Sequence, residues 1–396
     1  MIVNSIRRGG ATLLLAALVA LSACSEKRDE QAAPQAAAAA KPAVPSFSEE
    51  AAQTLSRRVW QSGEAALVDT KAAVAALNRA IATLLAGPSE DHLEAARLAW
   101  LEAHRDFAAA LPYIQLAFAP ADLRGEGRKL ELSLDSWPVQ PGYLDTVPGY
   151  SNSGIVNDTA IELNLANLRR QHRLTANEEA STGFHAMEIM LWGPTGERAA
   201  KDFVAVNKGE KPEAQAANRR RELTRLIGRG MAEDIDGLVR RWPFTANDLS
   251  RYFLALSPAA RIQQIRAAEV RTVDEELLRR LPESSESDVE SGRAADSKLA
   301  LLAMLRTLEA DWIPANGGGL ADLLLDRHQA EALAQRFAAL EALLLKMEDP
   351  IELAELSQLA QARDLLEQIA GLMAGTTQVP VSADEMTPVN LPADAQ

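Results

Sequence analysis

Residues Ser48 to Ala86 read SEEAAQTLSRRVWQSGEAALVDTKAAVAALNRAIATLLA, and Gly87-Pro88 follows. Alanine and leucine dominate this stretch. Its larger apolar residues, among them Val74, Leu77, Ile81 and Leu84, recur at three- and four-residue intervals. That spacing lines them up on one face of an α-helix, which the Gly-Pro pair then ends. The same signature continues down the chain. Ser89 is placed to cap a second helix with Glu90 and Asp91 in its first turn, running past Trp100 toward Phe118. Asp122 to Leu134 reads as a short third helix. Trp137-Pro138 to Gly154 holds six Pro and Gly residues from Pro138 onward and is the longest irregular stretch, of the kind that often carries function.

Helix is expected again near Asp158. Thr175-x-x-Glu178 has the form of a capping box opening a helix through Trp192, which Gly193-Pro194 stops. Further helical stretches are Glu213 to Arg240, Asn247 to Arg271 and Ala294 to Trp312, with two more over 320–347 and 350–374. A Ser/Glu loop spans 283–292, and Gly317 to Gly319, lacking the Lys-Ser/Thr of a phosphate loop, reads as a turn between helices. No stretch alternates as successive strands would. The fold class expected is therefore all-α, in two bundle-like lobes, residues 47–205 and 206–375, with a disordered tail over 376–396. Trp60, Trp100, Trp192, Trp242 and Trp312 sit in helical patterns as core residues, whereas Trp137 lies in the irregular region and is free to face a groove.

The chain's beginning reads differently. Arg7 and Arg8 precede an apolar run from Ala11 to Ala20, too short to span a bilayer, which ends in Leu21-Ser22-Ala23-Cys24. This order is that of a bacterial lipoprotein signal over residues 1–23, with Cys24 the lipidated first residue. Residues 24–46 are Ala/Pro-rich and suit a tether. The expected location is the bacterial envelope, facing the periplasm, with a lipid anchor to the membrane; Ser25 after Cys24 favours the outer membrane. Cys24 is also the single cysteine in 396 residues, so an internal disulfide and Cys-only zinc or iron–sulfur sites are excluded. The net charge of −14 argues against a nucleic-acid partner, which needs clustered Lys and Arg.

His185 and Glu188 are three residues apart, so imidazole and carboxylate lie on one helical face and can reach one metal ion. Spacing alone does not single them out, because His328-x-x-Glu331 repeats it. Context does. His328 is flanked by Asp326, Arg327 and Gln329, an ordinary hydrated face, while His185 and Glu188 lie in the apolar run Gly183-Phe184-His185-Ala186-Met187-Glu188-Ile189-Met190-Leu191-Trp192. A polar pair buried there needs a partner, since an unpaired buried polar group costs several kcal/mol. Gly183, read as interior to that helix, implies close approach of a neighbouring backbone.

Gly183 to Glu188, followed by Leu191-Trp192-Gly193, resembles the Gly-x-His-x-x-Glu signature of the imelysin family, bacterial envelope proteins grouped with iron-regulated protein A. Leu130 to Val139, Pro141-Gly142-Tyr143, Ser153 to Asn157, Asp202-Phe203 and the 317–375 region are similar to the corresponding family segments. The resemblance covers most of residues 50–375. It implies a two-lobed helical fold with the signature helix near the groove between lobes, and metal binding, iron first and zinc or copper after it, in iron uptake or homeostasis. Iron-uptake components of the envelope are the partners it implies. His185 and Glu188 are the expected metal ligands, with Glu131 and Asp135, four apart, completing an oxygen-rich site. Gly183, Trp137 and Trp192 are expected to support it. The family's founding activity is a peptidase, which would make Glu188 the general base. Against that stands the absence of a His-Glu-x-x-His arrangement supplying zinc ligands and base on one helix. A third reading is a metal-independent module for a protein or haem-type ligand. Two places depart from the family pattern: Leu101 to Ala110 carries alanines where many members place a glutamate, and the segment Glu290 to Arg293 keeps only part of a Ser-rich signature.

Overall fold

The computed structural model describes residues 47–209, 211–243, 248–283 and 289–375. Residues 1–23, Cys24, the 24–46 tether and the 376–396 tail therefore lie outside the described residues. Every described residue lies in one compact unit.

The all-α expectation holds. Among the described residues there is no β-strand, only one isolated bridge between Val147 and Tyr150. The chain runs α1 Glu49–Ala86, α2 Glu90–Ala117, α3 Arg124–Leu134, α4 Pro141–Leu144, α5 Leu165–Gln171 and α6 Phe184–Trp192. It continues through α7 Ala216–Arg241, α8 Asp248–Ala255, α9 Pro258–Arg271, a π-helical turn Thr272–Leu277 and α10 Leu278–Arg280. The last elements are α11 Ser297–Trp312, α12 Leu320–Leu324, α13 Arg327–Lys346 and α14 Leu356–Ala374. No helix among the described residues is long and apolar enough to cross a membrane.

Local chemistry accounts for the boundaries. Ser48 and Ser89 accept from Ala51 N and His92 N at 3.2 Å each, satisfying donors that begin α1 and α2. The single helix expected over 247–271 is instead two. Ser257 caps α9 and Pro258, which has no N–H to give to a preceding turn, opens it. Likewise 320–347 is split where Asp326 forms a capping box with Gln329. The largest correction concerns Thr175. Its backbone N and hydroxyl both donate to Glu179, closing a local turn rather than starting a helix. Helix α6 begins nine residues later at Phe184, with Gly183 as its N-cap.

The core is built on α1 and α2, which pack on each other and between them meet α7, α9 and α11. Trp60 and Trp242 stack at 4.8 Å and each indole N–H donates to the other's carbonyl at 3.1 Å, fastening α1 to the end of α7. Trp60, Trp100, Trp242 and Trp312 are fully buried as expected, while Trp192 is only half-buried, with Arg97 over its ring at 5.6 Å. Two arginine clamps hold the irregular region over α7. Arg219 donates to the carbonyls of Ile155, Val156, Asp158 and Ile161, and Arg198 and Arg220 both pair with buried Asp145.

One core feature is acidic. Glu269 of α9 and Asp311 of α11 are buried and hydrogen-bonded to each other, with Trp312 Nε1 donating to Glu269 at 2.5 Å and the Tyr113 hydroxyl bonded to Asp311. Burial raises both pKa values, Asp311 to about 7 and Glu269 further by Asp311's charge. The folded chain therefore holds more protons here than the unfolded chain above pH ~4. The pair's contribution to stability is full below pH ~4 and is lost as pH rises toward 7 and beyond, by up to about 1.4 kcal/mol per pH unit per site. Denaturant unfolding between pH 5 and 8 checks this. Asp311→Asn should flatten the loss and gain over the wild type at pH 8; a slope equal to the wild type's would disprove the assignment.

Candidate metal centre

Three elements that are remote in sequence converge beside α2. Helix α3 ends at Asp135, whose N–H closes the last turn on Glu131 O. That end is clamped by the segment before α6: Thr182 Oγ1 donates to Ser133 O at 3.0 Å and His172 Nε2 to Leu132 O at 2.8 Å. Gly183 explains the clamp's closeness. It has φ 91°, and a Cβ there would lie 2.4 Å from the Leu134 carbonyl oxygen. The expected close backbone approach is thus present, but at a helix start and not within a helix. Residues Phe184 to Leu191 of α6 are all buried, His185 and Glu188 included.

In this setting His185 Nε2 lies 2.8 Å from Asp135 Oδ1. The remaining groups come from α2, the π turn with α10, and the loop before α11. His104 of α2 stacks on Trp100 at 4.6 Å and meets Asp296 Oδ2 at 3.0 Å and Glu290 Oε1 at 3.5 Å. Arg280, 1% exposed, pairs with Asp135, with Glu276, and with Glu290 at 2.7 Å. Trp137 covers this arginine, its ring 5.9 Å from the Arg280 guanidinium and 4.5 Å from that of Arg279. One ligand atom from each of His104, Asp135, His185 and Glu290 lies within 4.8 Å of the others, and all four residues are buried.

Ion pairing overrides burial throughout the cluster. Burial would raise Asp135, but Arg280 and the His185 hydrogen bond hold it well below the usual carboxylate range. Burial opposes ionisation of Glu290 as well, yet Arg280 and His104 bring it to about 2. Burial pushes His104 down, and the Glu290 charge with the Asp296 hydrogen bond lifts it to about 10. His185 rises for the same reason, Asp135 and Glu188 outweighing burial.

The four residues expected from sequence do not all meet. His185 and Asp135 share a hydrogen bond. Glu188 stands at the other edge of the imidazole, its Oε2 3.5 Å from His185 Nδ1 and its Oε1 accepting from Ala294 N at 2.9 Å. Glu131 is outside the convergent set: Arg128 and Gln115 Nε2 hold its carboxylate, and burial with Glu276's charge raises it to about 8. The control pair behaves as a hydrated face should, with His328 exposed and Glu331 taken by Arg327. His104, Glu290 and Arg280 were not foreseen. His104 carried one usable signal, a polar residue four after Trp100 on a stripe shared with Phe107 and Leu111. Glu290 sits in a loop, and its one signal was the partly kept Ser-rich segment from Glu290 to Arg293.

Besides Glu276 Oε1 and Nε1 of the covering Trp137, two buried atoms of the cluster have no hydrogen-bond partner, His185 Nδ1 and Glu290 Oε2. Both residues, with Glu188, Gln140, Glu178 and Arg293, line a cavity of about 290 Å³. The donors are imidazole and carboxylate without thiolate, a set suited to iron or zinc. The residues present therefore fit a metal ion.

The class these observations define is a helical-bundle protein with a buried His–carboxylate centre. The imelysin family model, described as peptidase M75, matches residues 63–379. The chain belongs to the imelysin family. Among solved structures, an imelysin-like protein from Psychrobacter arcticum 273-4 is similar at TM-score 0.51 and 14% identity, over 83% of this chain and 94% of that one. A protein described as an iron-regulated protein A precursor from Parabacteroides distasonis ATCC 8503 is similar at TM-score 0.56 and 15% identity, over 84% and 95%. At these identities the likeness concerns the fold. No curated protein matches the chain.

Arg280→Met would leave Asp135, Glu276 and Glu290 buried without their common cation, and should cost about 3–5 kcal/mol in denaturant unfolding. Arg280→Lys keeps the charge without the three-way fork and should recover less than half of that loss. A loss under about 1 kcal/mol for the Met variant would remove Arg280 from this role.

Proposed function

We propose that this protein binds a metal ion, iron foremost, at the His185–Glu290 centre, as a tethered envelope protein serving iron uptake or homeostasis. The observation carrying the proposal is that two orphaned atoms, His185 Nδ1 and Glu290 Oε2, belong to residues lining one cavity. Each such orphan costs about 1–3 kcal/mol, and one cation would satisfy both. Asp135 supports the reading. It engages His185 through Nε2, the arrangement by which a carboxylate orients a metal-binding imidazole and leaves the other nitrogen to the ion. His185, Glu290 and Glu188 would hold the metal on the cavity side, and His104 with Arg280 fixes Glu290 from behind. The ion would supply a positive centre open to an exogenous ligand in the cavity. Lipidation at Cys24 and export rest on the order of charged, apolar and small residues before that cysteine, and envelope iron-uptake components are the partners proposed with it.

Equilibrium titration of the metal-free full chain with ferrous iron, ferric iron, zinc and copper tests this, read by tryptophan fluorescence and by elemental analysis. His185→Ala should weaken the preferred metal at least tenfold and Glu188→Gln by less. Wild-type affinity no tighter than that of His185→Ala for every metal would overturn it.

A peptidase reading has one observation in its favour, Glu188 facing a cavity beside His185. It requires cleavage of an unfolded protein that a chelator stops and Glu188→Gln abolishes. Cleavage that survives in that variant excludes Glu188 as the base.

A further inference from the structure

On the other side of Glu131 from the Asp135 cluster lies a separate cavity of about 180 Å³, between α2, α3 and the junction of α9 with the π turn. It is smaller than the ~300 Å³ at which pockets for drug-sized ligands begin, so its scale is that of a small ion. Its polar lining is dominated by three guanidiniums, Arg124 and Arg128 from α3 and Arg271 from the end of α9. The acids present are Glu131, already held by Arg128 and Gln115, and exposed Glu275. In a chain of net charge −14, this is a local reversal of sign.

Two of these arginines lack a carboxylate. Arg124 donates from Nε to Ala119 O at 3.0 Å, and Arg271 donates to Ala267 O and Gln115 O at 3.2 Å each. All three acceptors are backbone carbonyls. Among the described residues neither arginine makes an ion pair within 4.0 Å. Both terminal nitrogens of Arg124 and the Nε of Arg271 have no acceptor among the described residues. Both guanidiniums line the same cavity, and Arg271 is pushed down by burial and then by the Arg124 charge, with the Glu275 charge opposing.

The plainest role for the pair is to cap the C-terminal carbonyls of α2, which has no basic residue in its own last turn. That role accounts for the bond to Gln115 O, while Ala119 lies just past α2 and Ala267 lies in Arg271's own helix. Capping does not account for the unused donors around one cavity, or for placing like charges across it. A planar guanidinium presents paired N–H donors that match the oxygens of phosphate and carboxylate, and an anion between two of them converts repulsion into two attractions. Phe118 and Ile114 supply apolar walls that reduce competition from water.

We propose that this cavity binds a small oxyanion, phosphate or carboxylate in kind, between Arg124 and Arg271. The site is distinct from the His185–Glu290 centre and does not depend on metal being bound there.

The test is calorimetric titration of the metal-free full chain in chloride buffer, with inorganic phosphate in one arm and citrate in the other. One anion per chain is expected, with millimolar or tighter affinity in at least one arm. Arg124→Gln, at an exposed rim position, and Arg271→Gln should each weaken binding at least tenfold, and their far-UV circular dichroism should match the wild type. Arg225→Gln, which breaks an exposed pair with Glu222, should change nothing. Tighter binding in the phosphate arm assigns the site to phosphate, and tighter binding in the citrate arm to a carboxylate ligand. No saturable binding in either arm overturns the proposal, as does equal affinity in the wild type and both cavity variants. As the phosphate arm is run without metal, its failure leaves the metal reading intact and the reverse also holds.

Discussion

Arg280 is the constraint around which the centre of this protein is arranged. A guanidinium with 1% exposure is stable only if its donors and its charge are fully answered, because burying an ion unpaired costs several kcal/mol. Three carboxylates answer it. Asp135 comes from the end of α3, Glu276 from the π turn one helical step away, and Glu290 from the loop leading to α11. The Asp135 contact spans 145 residues of sequence, so it ties together segments that no local preference would bring near one another. The same pairing keeps Asp135 and Glu290 ionised at depths where burial alone would protonate them. It therefore fixes the negative charge that His104 and His185 meet, and from it the raised basicity of both imidazoles follows.

Rigidity around this ion network comes from backbone contacts more than from side-chain bulk. Gly183 lets the start of α6 touch the last carbonyls of α3, and Thr182 and His172 bond those carbonyls directly. Glu188 reaches out of α6 to hold Ala294 N, and this anchors the loop carrying Glu290. Asp296 in turn is held by His104 and Arg105. Each carboxylate is thus positioned before any ligand arrives, as a binding site requires if its affinity is not to be consumed by reorganisation. The polar cluster is at once a packing solution for Arg280 and a set of pre-aimed donors.

Much of the fold was legible. Apolar spacing and capping residues located α1 and α2 to within a residue or two at each start, because both signals act within one turn of helix. Failures came where two local solutions compete. Thr175 with Glu178 fitted a capping box, but Glu179 takes the Thr175 donors into a turn, and the helix waits for Gly183. Pro258 and Asp326 ended helices inside stretches whose apolar spacing ran on. At the site, the apolar surroundings of His185 and Glu188 marked them as groups needing partners, and they are buried. Glu131 was drawn toward Arg128, three residues away on its own helix, and Gln115, so the four-residue spacing from Asp135 did not translate into a shared role.

By itself the sequence determined an all-helical chain, its family, and the one histidine–carboxylate pair whose apolar setting demanded a partner. These are consequences of spacing and of burial cost, which operate over a few residues. Which groups answer that demand was decided by the tertiary structure alone. His104, Glu290 and Arg280 come from three separate elements, and their chain neighbours give no hint of a common centre. Ion pairing depends on distance in space, and that distance is set by how α2, α3, α6 and α10 pack, a property of the folded chain and not of any segment within it.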